Sequence, residues 1–140
     1  QLDLKLEQAV QKAALKVIEK GLVNSAHDCS EGGLAVALAE CCVSNKDNMI
    51  GANINNLNYD MRLDALFFGE SQSRIILSCS KDSVEKIRKI ALEFKAPFCV
   101  IGKTGGRVLR ILNGTEKLIY LPLEDLYEEW SGSLKKEIEG

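Results

Sequence analysis

The sequence contains one histidine, His27, and nothing to complete a catalytic set around it. There is no second imidazole, no activated serine and no cluster of carboxylates, the groups that nucleophilic or acid–base catalysis needs in combination. No C-x-x-C occurs among the five cysteines, and their count is odd. A zinc site and a disulfide framework are therefore excluded. Cys41, Cys42, Cys79 and Cys99 stand in apolar runs and read as small, reduced core residues of a cytosolic protein. Asp28 and Glu31 lack further clustered ligands, so no metal site is expected. Basic excess is missing too. The net charge is -2, which argues against the basic face of a nucleic-acid binder. No apolar run approaches the roughly 20 residues of a membrane span, and Gln1-Leu2-Asp3-Leu4-Lys5 has no signal-peptide layout.

What is present fits one globular domain with a real core: 140 residues, 46% hydrophobic and 27% charged. Leu6, Val10, Ala13, Ala14 and Val17 recur at helical spacing, which predicts an amphipathic helix over Leu4 to Lys20, stopped by Gly21. Leu22 to Ala26 reads as a short strand. A second helix, about Glu31 to Val43, is apolar nearly all round and is expected to be buried on more than one side. Further on, Met49 to Ile54 reads as a strand and Arg62 to Phe68 as a short helix ended by Gly69. Ile75 to Cys79 reads as a buried strand. A third long helix starts at Lys81-Asp82-Ser83. Val84, Ile87, Ala91 and Phe94 form its apolar face, and Glu85 and Lys89 an i,i+4 pair. Lys86, Arg88, Lys89 and Lys95 read as a solvated face, and Pro97 breaks the helix. Phe98 to Ile101 is expected as a strand and Gly102 to Gly106 as a turn. Val108 to Leu112 and Lys117 to Leu121 form a hairpin around the turn dipeptide Asn113-Gly114. Leu123 to Trp130 and Ser133 to Ile138 are two terminal helical segments. Long helices alternating with short buried strands, then hairpin-linked ones, argue for a mixed sheet covered by helices.

Two stretches carry candidate chemistry. Ser25-Ala26-His27-Asp28-Cys29-Ser30-Glu31-Gly32-Gly33-Leu34 is a polar, glycine-containing turn at a helix start. The free N–H groups of a first helical turn suit an anion, and glycine lets a ligand approach the backbone. The plainer reading makes Asp28 or Ser30 an N-cap, with the glycines serving the turn. His27 and Asp28 are adjacent, so in an extended segment they point apart and form no base–orienter pair. The second stretch is Glu70-Ser71-Gln72-Ser73-Arg74. If it is extended, Glu70, Gln72 and Arg74 share one face at a strand end, a common ligand position. Alternatively, Arg74 pairs with Glu31 or Glu70. Gly102-Lys103-Thr104 suggests a phosphate loop, but Pro97 stands where its first glycine belongs and a strand follows, so it reads as a connecting turn.

Taken together, the first stretch with its continuation to Glu40, then Phe68-Gly69-Glu70-Ser71-Gln72-Ser73-Arg74, and Ile101-Gly102-Lys103-Thr104-Gly105-Gly106 resemble three motifs of one family. That family is phosphoribosylformylglycinamidine synthase, also called formylglycinamide ribonucleotide amidotransferase. Its synthetase subunit resembles a duplicated aminoimidazole ribonucleotide synthetase, each half ending in a smaller α/β domain. The chain resembles that smaller domain. Leu126-Tyr127-Glu128-Glu129-Trp130 and Leu134 resemble the end of the second half. Cys29 stands where the family has an aliphatic residue, usually Leu, which fits a core-facing position. The His-Ile-Thr-Gly-Gly-Gly motif of aminoimidazole ribonucleotide synthetase itself is not matched well by His27 to Gly33.

The resemblance implies an α+β fold of three α/β/α layers. Its mixed sheet is covered by helices, like the C-terminal domain of aminoimidazole ribonucleotide synthetase and partly ferredoxin-like. Residues 1–140 are then a single C-terminal domain of a larger cytoplasmic ligase of purine biosynthesis. The full enzyme converts formylglycinamide ribonucleotide, glutamine and ATP to the amidine, glutamate, ADP and phosphate. It needs ATP and magnesium, which the fragment itself does not, and a glutaminase subunit or domain, with a possible small accessory subunit. The resemblance carries over no catalytic residue and no metal ligand. Ser30, Glu31, Gly32, Gly33, Glu70, Ser71, Gln72 and Arg74 become ligand-binding candidates, in an active, auxiliary or vestigial pocket. The isolated fragment is expected to be inactive. The alternative is a freestanding, non-catalytic phosphate- or nucleotide-binding module.

Overall fold

The computed structural model describes residues 3–29, 32–57, 62–69 and 73–139, apart from the side chain of residue 134. The chain forms two compact units, Gln1–Ala37 with Met61–Cys99, and Leu38–Asp60 with Val100–Gly140.

In the first unit, α1 (Leu4–Glu19) starts at Asp3, whose carboxylate accepts from the backbone N–H groups of Lys5 and Leu6, both at 3.1 Å. This satisfies two donors that a helix start otherwise leaves orphaned. Its apolar face buries Ala13 and Val17, and Gly21 takes the left-handed conformation just past its end (φ +66°). Val17 packs with Ile87 and Ile90 of α4 (Val84–Glu93), ringed by Leu22, Val23, Leu77, Cys79, Phe94 and Phe98. A short 3-10 turn, Lys81–Ser83, leads into α4. The charge pair on α4 joins Glu85 to Arg88 at 3.1 Å, one residue short of the expected Lys89, and the guanidinium also sits 5.0 Å over the Phe98 ring. The remaining basic side chains of this helix and Lys95 are exposed, as expected.

The strand expected over Leu22 to Ala26 lies further on, at β1 (Ser25–Asp28). It pairs antiparallel with β3 (Ile75–Ser78), from Ser25 opposite Ser78 to Asp28 opposite Ile75. Leu22 and Val23 are half-buried loop residues packed against this core; their apolar character marked that packing, while the partner strand set the ladder. The hydroxyls of Ser25 and Ser78 meet at 2.5 Å. α3 (Leu63–Phe68) matches the expected short helix and ends at Gly69. α2 (Gly33–Val43) begins in this unit and ends in the other. Leu34, Ala35, Ala37, Leu38, Cys42 and Val43 are all buried along it.

The second unit holds a mixed sheet in the order β4-β2-β5-β6. These strands are β2 (Ala52–Ile54), β4 (Gly102–Thr104), β5 (Val108–Asn113) and β6 (Glu116–Pro122). β2 runs parallel to β5; the other pairs are antiparallel. Ala52, Ile54, Leu109 and Ile111 point to one face and are buried. The hairpin turns at Gly114 (φ +61°), next to Asn113, as the dipeptide signalled.

Gly102 to Thr104 is a strand, whereas a turn was expected there, and Phe98 to Ile101 is not one. The reason is a close approach: a Cβ on Gly102 would lie 2.1 Å from the Asn53 carbonyl oxygen. Glycine here is a strand residue that lets two backbones meet. The turn is confined to Gly105 and Gly106, tied to Gly51 by hydrogen bonds of 2.8 and 2.9 Å. Arg107 pairs with Glu124 and holds that carboxyl below its usual range, chiefly through their hydrogen bond.

α5 (Leu123–Glu139) is one helix where two were expected. Ser131 and Ser133 donate back to the carbonyls of Glu128 and Glu129, at 3.3 and 2.9 Å, and keep their hydroxyls inside the helical pattern. Gly132 between them meets nothing within 4 Å. Tyr127 and Trp130 of α5 lie 6.1 Å apart, with Lys46 5.8 Å from the Tyr127 centroid. The α+β class with a mixed sheet is as the sequence indicated.

Candidate functional site

The two motif stretches meet in the first unit. β1 delivers the chain to Cys29, whose backbone N–H donates to the Arg74 carbonyl at 3.1 Å and extends the β1–β3 ladder by one rung. Cys29 itself is 1% exposed, so it belongs to the core. Burial pushes its thiol up, against the opposing charge of Arg74 and with the help of Asp28. A reactive thiolate is thereby disfavoured. Cys42 is also buried, and its thiol is pushed up to about 11. Cys41 and Cys79 are half-buried, but Cys99, expected in the core, is exposed, because the chain around it forms no strand.

Gly32 and Gly33 are both left-handed (φ +75°) and turn the chain into α2. Their surroundings differ. A Cβ on Gly33 would sit 2.5 Å from the Phe67 carbonyl oxygen and 2.9 Å from the Phe68 Cα. On Gly32 it would meet only the Val36 side chain, at 2.6 Å. Gly33 therefore permits the first turn of α2 to pack on the backbone that ends α3.

Arg74 faces the same junction. Its guanidinium donates to the carbonyls of Leu66 at 3.0 Å and Gly69 at 2.5 Å. A cation on carbonyls at a helix end is favourable, because those groups lack helical partners. Its Nε is buried without a hydrogen-bond partner. Ser73, one residue earlier, is left-handed (φ +67°). The alternation expected to put Glu70, Gln72 and Arg74 on one face involves Glu70 and Gln72, which lie outside the described residues. The Ser73 hydroxyl donates to Glu7 of α1, whose other carboxylate oxygen accepts from Gln11 at 2.7 Å. Glu7 thus anchors the second motif loop. Sequence reading missed it, since nothing local marks a partner 66 residues away.

Of the candidates, Gly32, Gly33 and Arg74 fall at this junction; Ser30, Glu31, Glu70, Ser71 and Gln72 lie outside the described residues. His27 is turned onto its neighbour's backbone, with Nδ1 2.7 Å from the Asp28 carbonyl. It borders an open groove of about 430 Å³ with Asp28, Ile75 and the Ala14, Leu15 and Ile18 side of α1. Among the described residues no group of three His, Cys, Asp or Glu side chains could hold a metal ion. No helix there is long and apolar enough to cross a membrane. Backbone N–H groups at the start of α2 are donors of the kind an anion can use.

The geometry defines a class: an α+β chain with a mixed sheet, in which the glycine turn that opens a buried helix packs on the end of a short helix held by an arginine. Residues 1–111 match the model of one such family, AIR synthase related protein, C-terminal domain. The chain belongs to that family. It is 42% identical over 139 residues to phosphoribosylformylglycinamidine synthase subunit PurL of Thermoanaerobacter sp. (strain X514), covering 99% of this chain and 18% of the relative. The same-named protein of Synechocystis sp. is 38% identical over 141 residues, again covering 99% and 18%. The chain thus spans less than a fifth of the length of these curated relatives. Phosphoribosylformylglycinamidine synthase II from Thermotoga maritima has the same fold, with a TM-score of 0.76 at 23% identity over 90% of this chain and 22% of that one. The structure of PurLQS from Thermotoga maritima gives the same figures.

Proposed function

We propose that residues 1–140 act as the C-terminal, synthetase-type domain of a phosphoribosylformylglycinamidine synthase, the last domain of its second half. The observation that supports this reading best is the joined pair of motif loops, in a chain whose relatives of that name align along almost its whole length. In this reading the full enzyme is a cytoplasmic ligase of purine biosynthesis. Formylglycinamide ribonucleotide is activated by ATP, and ammonia from the glutamine of a glutaminase partner displaces phosphate to give the amidine. A small accessory subunit completes the assembly.

The residues proposed to form this domain's ligand-binding site are Ser30, Glu31, Gly32 and Gly33 from one stretch and Glu70, Ser71, Gln72 and Arg74 from the other. The magnesium ion, and the ATP it accompanies, are assigned to the other domains. When bound there, they supply the phosphoryl group that activates the amide oxygen. The role left to this chain is to shape and close a pocket, and the chain alone is inactive.

The test is an assay of the full-length protein with formylglycinamide ribonucleotide, ATP, magnesium and ammonia, beside the isolated domain. Amidine formation by the first and none by the second supports the reading. No turnover by the full-length protein, with ADP or phosphate still shifting amide signals of residues 29–36 in the isolated domain, would favour a freestanding binding module instead.

A further inference from the structure

We propose that Arg74 is a positioning residue: through its own backbone and side chain it ties Cys29, at the entry to the glycine stretch, to Leu66 and Gly69 at the end of α3. This inference rests on the reading of the two motif stretches as a ligand-bearing pair.

Three contacts converge on the junction from different directions. The Arg74 carbonyl takes the Cys29 N–H at 3.1 Å, which fixes the entry to the glycine loop. Its guanidinium reaches the other way, to the carbonyls of Leu66 and Gly69, which fixes the end of α3. The α3 end is in turn the surface on which Gly33 lies, so close that no Cβ fits. Cys29, Arg74, the α3 terminus and Gly33 therefore form a chain of contacts, closed into a ring by the covalent backbone that links Cys29 to Gly33. The guanidinium suits this task because two N–H groups in a fixed fork meet two carbonyls at once, which a single ammonium does not reproduce. Two of the five N–H donors are taken by these carbonyls, and in this role Arg74 acts on a ligand by where it holds the ends of the two stretches.

The experiment compares Arg74→Met, Arg74→Lys and Gly33→Ala in the full-length protein. Without ligand, backbone amide exchange is followed at Cys29, at the first turn of α2 and at Gly69. With ammonia as nitrogen donor, KM for formylglycinamide ribonucleotide and kcat are then measured. Both Arg74 variants are expected to speed exchange at Cys29 and Gly69 at least tenfold. Amides of α1 around Val17 should stay within twofold, KM should rise at least fivefold and kcat should change less than threefold. Lysine gives no rescue.

Unchanged exchange at Cys29 in both Arg74 variants, with ligand affinity lost in Arg74→Met and restored in Arg74→Lys, would overturn the proposal and make the charge a direct ligand contact. Faster exchange with unchanged KM would overturn it too, leaving only a structural clasp. If Arg74→Met fails to fold, Gly33→Ala opens the ring from the α2 side and must release the same Cys29 and Gly69 amides. If the full-length protein does not turn over the ribonucleotide, the functional reading falls, while the exchange measurements still decide whether the ring exists.

Discussion

Gly33 lies so close to Phe67 that a Cβ added to it would stand 2.5 Å from the Phe67 carbonyl oxygen. The atom in the way is backbone, so relief requires moving α3 or α2. Gly33→Ala is therefore expected to lose more than about 2 kcal/mol, combining the clash with the left-handed backbone. Gly32→Ala should lose less, about 1 kcal/mol, because the atoms nearest a Cβ there belong to the Val36 side chain and not to the backbone of another element. Urea unfolding of both variants measures the difference; equal losses would mean that the close packing contributes nothing.

Gly102 stands closer still to its neighbour, 2.1 Å from the Asn53 carbonyl oxygen to a built Cβ. Gly102→Ala should separate β4 from β2 and destabilise by about 2 kcal/mol or more. Faster exchange of the amides at Asn53 and Thr104, with β5 and β6 unaffected, is the expected pattern.

Gly132 presents the opposite case, a helical glycine with open space around it. Gly132→Ala should raise stability by about 1 kcal/mol, the usual helix preference of alanine. A rise in melting temperature checks this. A fall would show that α5 is interrupted there.

The five cysteines should react in an order set by burial. Cys99 is exposed and is expected to be alkylated first at pH 8, while Cys29 and Cys42 react only on unfolding. Cys42 also gives a pH dependence. Its thiol is pushed up from 9.0 to about 11 in the folded chain, so the folded state holds its proton more tightly than the unfolded one. Its contribution is therefore full below pH 9.0 and is lost as the pH rises toward about 11. Cys42→Ala should flatten the fall of unfolding free energy across that window, by on the order of 2 kcal/mol.

Helices and the hairpin were legible in the sequence because their signals are local. The spacing of Ala13 and Val17 placed α1, Gly69 closed α3, and Asn113-Gly114 marked the turn between β5 and β6. Strand positions were not. Leu22-Val23 and Phe98 pack, half-buried, against the Val17–Ile87–Ile90 core, yet the ladders form a few residues away, where Ile75–Ser78 and Ala52–Ile54 offer partners. Ser131-Gly132-Ser133 looked like a break, but nothing pulls the chain out of the helix there. The glycine loop and the second loop were legible as motifs. Their joining by Arg74, Gly33 and the Glu7–Ser73 bond was not, because the Cys29–Arg74, Gly33–Phe67 and Glu7–Ser73 contacts each span tens of residues.

The most direct test of the account is amide exchange of the full-length protein with and without formylglycinamide ribonucleotide and ADP, read at Cys29–Leu34 and at Leu66–Arg74. The account predicts that one ligand slows exchange in both stretches together, since they form one junction. Turnover of the ribonucleotide with neither stretch protected by either ligand would contradict it.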